Sequence, residues 1–185
     1  MSDFMALGLS AGQVKSLMGV GQTEATHVTT LQSAIAGAGA KPVEPCQYNF
    51  DAALASASAM VKTARVLEAV GVSAYLGAAP LVNSSDVLSA AASIVTVEAR
   101  HQAFIRIASG AEPVPAAFDV ALGPRAVFTL AAAFIKSCPT GSNLNIQAFP
   151  AIALQNPEKA TVGQNLKLAD PAQPAGASFC AFVGP

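Results

Sequence analysis

The chain has 185 residues, 11% of them charged and 6% aromatic, with no tryptophan and a formal net charge of −1. That length suits one domain with a sizeable core, and the near-neutral charge without basic clusters argues against nucleic acid or an anionic membrane as the main partner. No apolar run reaches the roughly 20 residues of a membrane span, the longest being Ala126 to Ile135, and Met1 to Leu7 lacks the basic and apolar regions of a secretory signal.

Alanine is abundant and large side chains are scarce, which fits closely packed helices better than a β-sandwich. The first helix is predicted after Ser10, a good N-cap residue, with Val14, Leu17, Gly21, Glu24, Val28, Leu31 and Ile35 spaced as a core-facing stripe. Gly37-Ala-Gly39 stops it, and a connector with Pro42 and Pro45 follows. A long Ala-rich helix is predicted from about Asp51 to Ala79, ended by Pro80, with Met60, Ala64, Leu67, Gly71, Ala74 and Ala78 as a narrow stripe that Glu68 borders. Gly71 lowers helix propensity by about 1 kcal/mol relative to alanine, so it calls for a packing or site reason.

After the turn Asn83-Ser84-Ser85-Asp86, a third helix runs to about Ser109, with Leu88, Ala91, Ile94, Val95, Glu98, His101 and Ile105 in register. A shorter packing helix starts near Pro124 and ends at Cys138-Pro139. The helical domain is taken as residues 1–154. Residues 155–185, rich in Pro, Ala, Gln and Asn, are expected to form an extended or partly disordered tail, with docking of Phe179-Cys180-Ala-Phe182 on the body as a further option.

The chain holds only two histidines, and each follows a glutamate by three residues: Glu24-Ala-Thr-His27 and Glu98-Ala-Arg-His101. At that spacing a carboxylate and an imidazole share one helix face, and two such helices supply four ligands of a di-metal carboxylate bundle. A single Glu-x-x-His reads first as a surface pair. Two of them on apolar faces, with no lysine or arginine alongside, read as metal ligands, because unpaired charge is expensive there.

Glu68 on the long helix is placed to join them, although Arg65 and Lys62 could instead neutralise it along the same helix. Iron and manganese suit this oxygen and imidazole set, and zinc is a further option. Tyr75 reads as a core tyrosine, with a redox role as the alternative. Cys46, Cys138 and Cys180 form no CxxC pattern, so one disulfide with a spare thiol and three reduced thiols both remain open.

The stretch Ala64-Arg-Val-Leu-Glu68-Ala-Val-Gly-Val-Ser-Ala-Tyr75-Leu-Gly-Ala-Ala79, followed by Ala91-Ala-Ser-Ile-Val-Thr-Val-Glu98-Ala-Arg-His101, resembles the ferritin-like domain of plant desiccation-related and fungal stress and sexual-development proteins. Glu24-Ala-Thr-His27-Val-Thr-Thr-Leu31 is similar to that family's earlier Glu-x-x-His helix, and Cys46-Gln-Tyr-Asn-Phe50 and Phe134-Ile-Lys-Ser-Cys138-Pro139 resemble its fungal branch. The resemblance implies an all-α, ferritin-like bundle with Glu24, His27, Glu68, Glu98 and His101 as metal ligands, an extra short helix and an extended tail.

The family's first bundle helix, with its own glutamate, would precede Asp3-Phe4. Five of six ligands are therefore expected: a fuller half-site of Glu68, Glu98 and His101, and an impaired one of Glu24 and His27 that Asp3 or another subunit would complete. The groove left open by that helix would favour a homodimer or filling by the tail. Secretion and a Cys46 to Cys138 disulfide follow from the resemblance. Oxidase, peroxide-handling or storage chemistry is the implied use; a metal-free stress or structural protein, or a module whose groove accepts a partner helix, is the alternative.

Overall fold

The computed structural model describes residues 2–150, 153–155, 163, 165 and 167–169. A short helix α1 (Ser2–Met5) leads into α2 (Ala11–Gly37). Ser10 caps α2 with a full capping box: its hydroxyl accepts from the Gln13 N–H while the Gln13 side chain accepts from the Ser10 N–H. The predicted helix from Asp51 is split into α3 (Asp51–Leu54) and α4 (Ala57–Ala78). Ser56 lies between them in an extended conformation, and its hydroxyl accepts from the Ala59 N–H, so a second N-cap replaces helix continuation. α5 (Ser85–Ala108) is capped in the same way by Ser84.

α6 (Pro124–Ala131) ends seven residues before Cys138, earlier than its apolar spacing predicts. Residues 132–134 tighten into a 3₁₀ turn, and the chain then enters strand β2 (Ile135–Ser137). β2 pairs antiparallel with β1 (Gln47–Tyr48), and Asn49 N–H extends the ladder to the Phe134 carbonyl. Phe50 stacks on Phe134 and on Tyr48. A disulfide joins Cys46 to Cys138 at the edge of this ribbon. Most of the predicted tail, including Phe179 to Phe182, lies outside the described residues; a second short ribbon pairs β3 (Ala153–Leu154) with β4 (Leu168–Ala169). Among the described residues no helix is long and apolar enough to cross a membrane.

The core lies at one end of the three long helices. Leu17 of α2, Val61 of α4 and Ile105 of α5 meet there, with Phe4, Val20, Met60, Ala64, Phe104 and Ala108 packed around them. The deepest face of α4 runs through Val61, Glu68 and Val72, rotated from the predicted stripe. On α2 only Val14 and Leu17 are buried; Val28, Leu31 and Ile35 of the expected core stripe are exposed. Two turns beyond the core on α2 and on α4, about 10 Å along each axis, stand Glu24 and Glu68.

A loop from Ala111 to Gly123 crosses α4 at Gly77. Leu122 is buried, its N–H donates to the Ser73 carbonyl at 3.0 Å, and a Cβ on Gly77 would overlap the Leu122 carbonyl. Backbone cannot retreat as a side-chain tip can, so Gly77→Ala is expected to cost about 3 kcal/mol in overpacking, offset by about 1 kcal/mol of helix propensity. The net loss of about 2 kcal/mol is read by denaturant unfolding. Gly21→Ala, where an added Cβ meets nothing within 4 Å, is expected to have the opposite sign.

Candidate metal centre

α2 and α5 run antiparallel, since Glu24 faces His101 and Glu98 faces His27. The two Glu-x-x-His pairs are thereby crossed between helices. Glu24 Oε1 stands 2.9 Å from His101 Nδ1 and its Oε2 stands 3.5 Å from His27 Nδ1, so one carboxylate presents an oxygen to each imidazole. Glu98 Oε1 lies 3.1 Å from His27 Nδ1, and Glu68 Oε2 lies 3.4 Å from His101 Nδ1. The imidazole rings face each other with centroids 6.4 Å apart.

All five predicted residues are thus brought into one place by three helices. Donor atoms of Glu24, Glu68, Glu98 and His101 lie within 4.8 Å of one another, with His27 beside them through Glu98. The expected division into half-sites is drawn differently: Glu24 shares its cluster with His101, Glu68 and Glu98. Asp3 is exposed and outside the cluster. No ion pair joins Glu68 to Arg65 or Lys62 among the described residues, so the helical neutralisation that the spacing allowed does not form.

The site is buried on two walls and open on the third. The side chains of Glu98 and Glu68 are 6% and 9% exposed and both histidines 12%, whereas that of Glu24 is 38% exposed. Glu24 Oε1, His27 Nδ1, Glu68 Oε2 and His101 Nδ1 are all buried without a hydrogen-bond partner, although each has another of these groups at 2.9 to 3.5 Å. Close approach without hydrogen-bond alignment means that lone pairs converge on a common space. Unsatisfied buried polar atoms are individually costly, and a cation at that point would satisfy them together. The residues therefore fit a hard or borderline first-row metal ion.

Burial, the Glu24 charge and a hydrogen bond to Glu98 push the Glu68 carboxyl up to about 9. Burial and Glu24 also raise Glu98, against lowering by the Glu68 hydrogen bond and the two histidines. Without a cation the cluster therefore keeps a proton on Glu68 at neutral pH. Tyr75 is half-buried one turn beyond Gly71, and its hydroxyl is pushed up to about 12 by burial and then by Glu98 and Glu24, so it stays neutral beside the acidic cluster. Arg106, buried on α5 with its Nε donating to the Glu112 carbonyl, belongs to the loop anchor and was not signalled by the apolar spacing.

Residues 1–111 match the family described as the ferritin-like domain. The chain is also similar to Protein rds1 of the fission yeast Schizosaccharomyces pombe (strain 972 / ATCC 24843), with 27% identity over 157 residues, which is 84% of this chain and 38% of that protein. The chain thus spans well under half the length of this relative.

Proposed function

The chain belongs to the ferritin-like domain family, and from that premise we propose that it is a metal-binding protein holding iron or manganese between α2, α4 and α5. The observation that carries this reading is the set of partnerless buried donor atoms on Glu24, Glu68, His27 and His101, drawn from three helices and aimed at one another. Two independent surface pairs would leave each glutamate only with the histidine of its own helix; here the shortest contact of Glu24 is to His101 and that of Glu98 is to His27, each across to the other helix. Glu24, with one oxygen toward each histidine, would hold the metal together with the buried carboxylates of Glu68 and Glu98.

Iron or manganese held there supplies one-electron chemistry toward dioxygen or peroxide, and storage requires binding alone. The protein's own part is to hold the imidazoles, keep water from the α4 wall and release the Glu68 proton as the carboxylate takes up the charge. Zinc fits the same donors. The Cys46–Cys138 disulfide supports an oxidising compartment as the place of work, and the exposed Val28, Leu31 and Ile35 face on α2 supports self-association.

Anaerobic ferrous loading of purified protein followed by metal quantification tests the proposal, with up to about two equivalents expected. Glu24→Ala, Glu98→Ala and His101→Ala are each expected to abolish loading. Less than about a tenth of an equivalent in the unaltered protein would overturn the metal reading in favour of a metal-free structural role. Sedimentation of the same samples reads the oligomer.

A further inference from the structure

Gly71 stands in the middle of α4, where its backbone is ordinary right-handed helix and nothing about a turn requires glycine. Alanine has the higher helix propensity and would be preferred there on that ground alone. What surrounds the position is unusual: an added Cβ would lie 3.0 Å from Glu98 Oε2, 3.4 Å from its Cδ and 3.9 Å from its Cγ. The whole end of the Glu98 side chain therefore rests in a notch on the neighbouring helix, at the place a methyl group would fill. The notch lies one turn after Glu68 and one turn before Tyr75 on the same helix.

Resting on the metal-binding reading above, we infer that Gly71 is a positioning residue, whose missing side chain sets where the Glu98 carboxylate lies between His27 and Glu68. The two oxygens of Glu98 share one carbon, so pushing Oε2 out of the notch also moves Oε1, the atom 3.1 Å from His27 Nδ1. The carboxylate is the far end of a flexible side chain. It gives way, while α4 and α5 keep their packing. Gly77 differs on this point, because what it accommodates is backbone.

The test is Gly71→Ala, with Gly21→Ala as the control on an open face of α2. Gly71→Ala is expected to leave the metal-free protein folded and no less stable, to weaken ferrous and cobalt(II) binding by roughly 10- to 100-fold, the range for altering a ligand's support, and to shift the visible absorption of the cobalt-loaded protein. Gly21→Ala should change neither affinity nor spectrum. Gly71→Ala with unaltered affinity and absorption, or a Gly71→Ala chain that does not fold, overturns the inference.

A wild-type protein that takes up no metal would defeat the functional reading without deciding this one. The positioning role is then decided in the metal-free state by combining Gly71→Ala with Glu98→Ala. With the carboxylate gone the new methyl enters free space, so Gly71→Ala should raise Tm more in the Glu98→Ala background than in the wild type. Equal shifts in both backgrounds would show that the two residues do not meet.

Discussion

Glu68→Gln is expected to have two opposed effects: loss of metal loading, and greater stability of the metal-free protein above neutral pH. The carboxyl of Glu68 is raised from 4.5 to about 9, first by burial and then by Glu24 and Glu98. Between those values the folded chain holds a proton that the unfolded chain has released, so folding stability falls as pH rises. The penalty is absent below about pH 4.5 and complete above about pH 9. Glutamine keeps the shape and never ionises, so the variant escapes this loss. The gain at pH 8 should be about 2 kcal/mol or more, since each tenfold difference in proton affinity between the folded and unfolded chains corresponds to about 1.4 kcal/mol, or roughly 5 °C in Tm for a chain of this size.

Metal-free wild type and Glu68→Gln should therefore have similar Tm at pH 5 and diverge up to pH 9. Saturating metal should reverse the order, because binding to the folded state alone stabilises only the chain that retains the ligand. Parallel Tm curves for the two proteins across pH 5 to 9 would show that Glu68 does not carry the buried charge. On the proposed metal-binding reading, function opposes stability: the arrangement that destabilises the metal-free cluster is the one that suits a cation.

Much of this arrangement was legible in local sequence. Ser10 marks the start of α2 within a residue because a cap is decided by one side chain and the next three residues, whereas α5 begins inside the expected turn from Asn83 to Asp86, where Ser84 is the cap. The five candidate ligands were legible because carboxylates and imidazoles on apolar faces need a reason to be there. What local pattern does not hold is who faces whom. Crossing of Glu24 to His101 and Glu98 to His27 depends on the antiparallel register of α2 against α5, a long-range property. Gly71 and Gly77 look alike as small residues in an Ala-rich helix, yet one faces a carboxylate and the other a carbonyl of a crossing loop. Strands β1 and β2 were missed for the same reason: each is two or three residues long and exists through its partner. The spacing of Phe128, Leu130, Phe134 and Ile135 suits a helix, but the pairing with Gln47 and Tyr48 and the Cys138 crosslink claim the end of it.

Removing that crosslink, by Cys46→Ser with Cys138→Ser or by reduction, is expected to be the most damaging change outside the cluster. The bond closes a sequence separation of 92 residues, for which loop-closure entropy gives about 4.6 kcal/mol, or roughly 14 °C in Tm. The loss falls on a core whose largest fully buried side chains, among the described residues, are Ile105, Val61 and Val72. It also falls unevenly. Glu68, Glu98 and His101 lie inside the closed loop, while Glu24 and His27 lie on α2 outside it. Between His27 and Cys46 every residue but Pro42 and Glu44 is exposed, so after the core contacts of Val14 and Leu17 the crosslinked ribbon is the next firm anchor for α2. Asn143 assists it by donating to the Lys41 carbonyl at 2.9 Å. The reduced or doubly substituted protein should therefore lose stability in denaturant titration and, while still folded, bind metal more weakly through the α2 ligands than through those of α4 and α5. Hydrogen exchange should show α2 opening at lower free energy than α4 and α5. An unchanged denaturation midpoint in the double variant would mean that the ribbon, and not the covalent bond, holds α2 over the cluster.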